Sequence, residues 1–240
     1  MANLQKGVLD KVEHFFSKKK YSYEVIIVDD GSTDGSVEFV KQFVKDNNNF
    51  KLIKNPHLGK AGTVTKGVLN AKGQYILFTD MDQATPIEEI DKLLPYFGPS
   101  NDGFDIVIGS RNSTRKGSPW TRILMARGMM ILRKLMIGIR NISDTQCGFK
   151  VFRHDVARKL FAKIESLHSK PTKITGSSVS AGFDVELLYL AHRLGYKIRE
   201  VPVDWLYVET RRVNPIKDSI EGFMDLVRIK MNDLRGVYRW

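Results

Sequence analysis

Two pairs of carboxylates stand where short apolar runs end. Asp29-Asp30 follows Tyr23–Val28, and Asp80-Met81-Asp82 follows Gln74–Thr79. Carboxylates at i and i+2, with the chain leaving a strand, can converge on one divalent cation. Mg²⁺ and Mn²⁺ favour such hard oxygen ligands, with substrate phosphates completing the shell. Asp29 and Asp30 could accept hydrogen bonds from ribose hydroxyls or a base N–H. The same residues, with Ser32 and Asp34, also suit helix capping. Lys60, after Gly59, opens a predicted helix, a position that favours phosphate, although it also suits an ordinary surface lysine. Arg111 follows the strand Asp105–Gly109, where a guanidinium can pair with two phosphate oxygens or form a surface salt bridge. The chain holds no P-loop, no G-x-G-x-x-G fingerprint and no G-x-S-x-G elbow. Its five histidines have no metal spacing.

These residues need a scaffold that brings strand ends together. Strands are expected at Tyr23–Val28, Phe50–Ile53, Gln74–Thr79 and Asp105–Gly109, with helices at Lys6–Lys18, Val37–Lys45, Lys60–Ala71 and Ile87–Tyr96 between them. Such alternation predicts an α/β fold with a mainly parallel sheet and helices on both faces, and ligands beyond the carboxyl ends of the strands. A strand at Phe149–Phe152, a helix running to about Ile164, a helix at Asp184–Leu194, a strand at Lys197–Val201 and a helix at Pro215–Met231 follow. The stretch His168–Gly182 is polar and turn-rich. The whole chain, 1–240, is expected to form one domain with a helical tail over 206–240.

The 240 residues carry a formal net charge of +11, 42% apolar and 27% charged residues, which excludes wholesale disorder. The charge is concentrated. Between Arg111 and Arg140 stand eight basic residues and no acidic one. Within that segment Trp120–Ile139 is predicted to be helical. Leu124, Met125, Ile131, Leu132, Leu135, Met136 and Ile139 fall on one face, and Arg122, Arg127, Arg133, Lys134 and Arg140 on the other. A basic amphipathic helix suits an anionic membrane surface, or a core helix with a solvated face. With no zinc-finger spacing and no RNP-like motif, nucleic acid is not expected as a partner. No apolar run is long enough to span a bilayer as a helix, and the single Cys147 points to a reducing compartment.

The segments VIIVDDGSTDGS, NPHLGKAGTVTKGVLNAKGQYILFTDMDQATP, IVIGSR, DTQCGFKVF and FDVELLYLAHRLGYKIREVPVDW resemble family 2 glycosyltransferases with a Rossmann-like GT-A fold. The DTQCGFK block with Asp184-Val185-Glu186-Leu187 is most similar to the dolichyl-phosphate β-glucosyltransferase branch. The resemblance implies an inverting transfer of a hexose, glucose from UDP-glucose above all, to dolichyl or another polyprenyl phosphate. It also implies Mg²⁺ or Mn²⁺ at Asp80 and Asp82 and a peripheral position on the cytoplasmic face of a membrane. By the same resemblance Asp29, Asp30, Lys60, Asp80 and Arg212 would bind the nucleotide sugar. Arg111, Asp144 and Gln146 would face the acceptor phosphate, and Asp80, Asp82, Asp184 and Glu186 the reacting centre. The family's sheet begins with a strand before the first helix. This chain starts at that helix, so its sheet is expected to lack the first strand. A catalytically impaired nucleotide-sugar-binding protein of the same fold, a transferase for mannose or another sugar, a nucleotidyltransferase and a nucleic-acid-binding protein are the alternatives.

Overall fold

The computed structural model of the chain describes residues 1–98, 103–111, 120–139, 141–167, 181–206 and 215–239. The predicted strands form, each close to its expected place. They are β1 (Val25–Asp29), β2 (Phe50–Lys54), β3 (Tyr75–Thr79), β4 (Ile106–Ser110), β5 (Phe149–Arg153) and β6 (Ile198–Pro202). The helices are α1 (Ala2–Gln5), α2 (Val8–Ser17), α3 (Ser36–Asp46), α4 (Gly59–Asn70), α5 (Ile90–Leu93), α6 (Trp120–Ile137), α7 (His154–Leu167), α8 (Ala181–Arg193) and α9 (Pro215–Leu234).

Two expected helices differ from their expected course. The first, expected from Lys6, starts at Val8 after Gly7, whose φ of +69° is a left-handed conformation that glycine adopts freely. The predicted helix Ile87–Tyr96 is a 3₁₀ turn (Ile87–Glu89), the single turn of α5 and a second 3₁₀ turn (Leu94–Phe97). Pro95 lies in that last turn and has no N–H for an α-helical bond.

The described strands form two sheets. β1 and β2 pair in parallel, Val25 opposite Phe50, and the other four strands run in the order β3-β5-β4-β6. The β1–β2 pair is not hydrogen-bonded to β3, and this break lies where the sheet was expected to lack a strand. β4 and β6 are parallel, whereas β5 runs antiparallel to both its neighbours. That reversal refines the expected mainly parallel sheet, and it matters for the site. The residues before β5 arrive at the same sheet edge as the residues after β3 and β4.

Period-two alternation distributes the strand side chains between two cores. Ile76, Phe78, Ile106, Ile108 and Phe152 pack with α7 and α8 on one face. Val107, Phe149 and Val151 pack with α2 and the Ile87–Phe97 segment on the other. The four-stranded sheet is therefore apolar on both faces, and β4 is buried throughout. Phe152 lies stacked 6.0 Å from Phe78 and edge-on 5.6 Å from Phe161. Truncation of a buried aromatic leaves a cavity that rigid neighbours cannot fill, so Phe152→Ala should lower unfolding stability by about 3–5 kcal/mol in urea titrations.

Candidate active site

The ends of β3, β4 and β5 and the first turns of α4 and α8 meet in one cleft. Its walls include Thr79, Asp80, Asp82, Arg111, Gln146 and Trp205. Asp80 leaves β3 into a tight turn, where its carbonyl accepts from the N–H of Gln83. Gln83 has a φ of +48°, a left-handed conformation uncommon for a residue with a side chain. Asp82 Oδ1 accepts from the backbone N–H of Ala84 at 3.0 Å, which fixes this second carboxylate beside the first.

The β3–β5 register places Thr79 opposite Phe149, so Asp80 falls opposite Gly148. A Cβ on Gly148 would lie 1.9 Å from Asp80 Oδ2. Only glycine leaves room for the carboxylate there.

Lys60, in the first turn of α4, reaches Asp80 Oδ1 at 3.2 Å and Asp184 Oδ2 at 3.4 Å. Burial alone would pull the Lys60 ammonium down, but Asp184 and Asp80 outweigh it and hold its pKa above the ordinary lysine value. The Asp184 side chain is buried in the first turn of α8, where Lys150 Nζ meets Oδ1 at 2.6 Å. Burial would raise this carboxyl, and Lys150 and then Lys60 more than reverse that, leaving it below the usual aspartate range.

Arg111 lines the same cleft. Its Nε donates to Asp144 Oδ2 at 2.7 Å and its Nη2 to Asp144 Oδ1 at 2.8 Å. The Arg111 backbone N–H adds a third bond to Oδ2 at 3.0 Å. The Asp144 loop is held in turn by Glu200 on β6, which accepts from the N–H groups of Ser143 and Asp144, each at 2.8 Å. Burial would raise the Asp144 carboxyl, but the Arg111 guanidinium holds it well below the usual carboxylate range. Trp205 lies 5.9 Å from the guanidinium, and its neighbour Leu206 donates to the Ala84 carbonyl, joining this segment to the Asp80–Asp82 turn.

Not every expected residue comes to the cleft. Asp30 Oδ1 accepts from the Leu58 N–H at 2.9 Å and Oδ2 from the Gly59 N–H at 2.8 Å, so its carboxylate caps the start of α4. Asp29 folds back on its own turn and accepts from the N–H groups of Gly31 and Ser32. Glu186 lies two residues beyond Asp184, about 200° around the helix, and therefore faces away. Its Oε1 accepts from the Tyr238 hydroxyl at 2.5 Å, in the core beneath α9. Arg211, Arg212 and the polar stretch 168–180 lie outside the described residues.

Arg133, predicted on the solvated face of the basic helix, turns inward. Its guanidinium donates to Thr145 Oγ1 at 2.7 Å and to the Ser143 carbonyl. Among the described large side chains of α6, Ile131 and Leu135 are exposed instead, 56% and 78% accessible. The side chains of Leu124, Met125, Arg122 and Arg127 lie outside the described residues, as does Arg140.

Residues 3–161 match the family model described as Glycosyl transferase family 2. The chain is similar to the dolichyl-phosphate beta-glucosyltransferase of Dictyostelium discoideum, 33% identical, with 97% of this chain and 72% of the relative covered. It is 35% identical to the Drosophila melanogaster protein of the same name, with the same coverages. Among solved structures it resembles glucosyl-3-phosphoglycerate synthase from Mycobacterium tuberculosis in complex with Mn²⁺, UDP and glucosyl-3-phosphoglycerate. There the TM-score is 0.56 at 16% identity, over 87% of this chain and 69% of that one. A mannosyltransferase from Pyrobaculum calidifontis in complex with GDP-Man and Mn²⁺ gives a TM-score of 0.57 at 16% identity, over 95% and 60% of the two chains. The chain belongs to glycosyltransferase family 2, and its α/β fold is that of GT-A glycosyltransferases. It is a glycosyltransferase whose curated relatives are named dolichyl-phosphate beta-glucosyltransferases.

The ionised Asp144 contributes stability that is fully present above its unfolded pKa of about 4 and is lost as pH falls from there toward its lower folded value. Arg111→Met removes the main cause of that depression. The acid-unfolding midpoint, followed by circular dichroism, should therefore rise toward the ordinary carboxylate range.

Proposed function

We propose that this chain transfers glucose from UDP-glucose to dolichyl phosphate, with inversion at the anomeric carbon, while resting on a membrane surface. The observation that supports this best is the meeting of two charge groups at one cleft. Asp80, Asp82 and Arg111 line it, with Lys60 paired to Asp80 and Asp144 to Arg111.

On the donor side, Asp80 and Asp82 would hold Mg²⁺ or Mn²⁺. The fit rests on two hard carboxylates at the cleft wall, of which Asp80 is half-exposed and so open to an ion. Among the described residues no group of three acidic, histidine or cysteine side chains gathers, so diphosphate oxygens would complete the shell. Such an ion supplies Lewis-acid neutralisation of the departing diphosphate. Lys60 adds a fixed positive charge beside it. Asp29, Asp30 and Arg212 complete the proposed nucleotide-sugar contacts. Asp30 would also act through α4, because its cap sets the start of the helix that carries Lys60.

On the acceptor side, Arg111 keeps the Nη1 edge that Asp144 does not occupy, and this edge suits a phosphate oxygen. Gln146, in the same loop, adds a polar side chain at the cleft wall. A phosphate monoester is largely dianionic near neutrality and is itself the nucleophile. Its oxygen forms the new bond to the anomeric carbon as the bond to the β-phosphate oxygen breaks, and the electron pair leaves with UDP. No strong base is needed. Asp184, held ionised between two lysines, is a weak one and serves as a charge partner. Glu186 would bear on the reacting centre only through α8, since its carboxylate is engaged with Tyr238.

The membrane surface finds support in where the large apolar side chains are exposed. Ile131 and Leu135 project from α6, and Ile220, Phe223 and Met224 from α9, against which α6 packs. No described helix is long and apolar enough to cross a bilayer, so these residues suit a surface contact on the cytoplasmic leaflet, strengthened by the basic segment.

Purified protein should transfer radiolabelled glucose from UDP-glucose to dolichyl phosphate in the presence of Mn²⁺. Asp82→Ala and Gly148→Ala should each reduce turnover at least about 100-fold, the scale set by losing a preorganised electrostatic group. Both variants should keep the native circular dichroism spectrum, and wild-type-like transfer by both would refute the metal assignment. Ile131→Glu with Leu135→Glu should abolish flotation with anionic liposomes while soluble UDP binding stays intact. Unchanged flotation would remove α6 from the membrane contact.

A further inference from the structure

Lys150 was not among the expected site residues, and its surroundings are unusual. It sits in β5 between Phe149 and Val151 and is 0% exposed. An ammonium withdrawn from water is stabilised only if its donors and its charge are matched. Nζ donates to the Cys147 carbonyl at 2.6 Å and to Asp184 Oδ1 at 2.6 Å, and it lies 5.1 Å from the Phe78 ring centroid. Asp184 then faces Lys60, and Lys60 faces Asp80. From the core to the cleft the charges run positive, negative, positive, negative.

The distances along this row are unequal. Asp184 is 2.6 Å from Lys150 but 3.4 Å from Lys60, beyond the usual range of a strong hydrogen bond. Asp184 is thus bound tightly on its inner side and loosely on its outer side. Without Lys150, two carboxylates would share one ammonium. The more deeply buried carboxylate, with no other cation bonded to it among the described residues, would draw Lys60 inward. A phosphate arriving at the cleft would then meet a lysine whose charge was already used.

We propose that Lys150 is a positioning residue for the donor diphosphate: it neutralises Asp184 from within the core and so leaves the Lys60 ammonium to the phosphates. This rests on the assignment of the Lys60 side of the cleft to the donor. Lys150 touches no substrate. Its influence passes through Asp184, so it should become dispensable for donor binding once Asp184 has lost its charge.

The test is UDP binding by titration calorimetry in Mn²⁺, together with steady-state kinetics. Lys150→Met should weaken UDP binding and raise the donor KM about tenfold, and leave the acceptor KM within about twofold. Asp184→Asn and the double variant Lys150→Met/Asp184→Asn should bind UDP within about threefold of each other, as a cycle through one shared partner requires. That pair decides the matter even if Lys150→Met alone fails to fold, since the double variant buries no unpaired charge. UDP binding by Lys150→Met equal to wild type, equal rises in donor and acceptor KM, or a double variant clearly weaker than Asp184→Asn would each overturn the role of Lys150. Wild-type protein that binds no UDP would overturn the donor assignment itself, and this proposal with it.

Discussion

Everything at the cleft depends on β5 running backwards between β3 and β4. Because that strand is antiparallel, the loop ending at Gly148 reaches the same edge as Asp80 and Arg111. Two contacts follow at once. The bare backbone of Gly148 lies against the Asp80 carboxylate, and Asp144 closes on Arg111. A parallel strand in that place would deliver its preceding loop to the far edge of the sheet, and neither contact could form. β5 is also the strand that carries Lys150 into the core, so one element supplies both the room for the Asp80 carboxylate and the buried charge behind Asp184.

The two sides of the cleft are built differently. The Arg111–Asp144 pair is rigid, with three short bonds to a single carboxylate that is further held by its loop. The Lys60 side has longer contacts and a half-exposed Asp80. A rigid wall suits the group that must be aimed. A looser wall suits a leaving group whose charge grows during the reaction, because Lys60 can shift toward it at little cost.

Much of this was legible in the sequence. Short β-branched runs marked β1, β3 and β4, and Asp80, Asp82 and Arg111, which follow β3 and β4, marked the sheet edge where the cleft lies. What escaped was direction and depth. Nothing in the alternation of Phe149, Lys150, Val151 and Phe152 tells an antiparallel strand from a parallel one. A lysine inside an apolar strand does signal a charge that needs a partner, but the partner lies 34 residues away on α8. Capping by Asp30 was legible, but its target, the distant start of α4, is supplied by tertiary packing rather than by the next turn of chain. Periodicity grouped Ile131 and Leu135 with Leu132, Met136 and Ile139, yet Leu132, Met136 and Ile139 pack on the core while Ile131 and Leu135 are exposed. Arg133 turned inward because the carbonyl and hydroxyl of the Ser143–Thr145 loop offered it partners.

That inward arginine gives α6 two attachments on opposite sides. Arg133 grips the loop that carries Asp144, while Ile131 and Leu135 face outward. A surface lying against those two side chains is held from the loop by the thickness of one helix, roughly 10 Å. On the proposed membrane contact, the thickness of that single rod would set how far the Asp144 loop stands from the lipid surface.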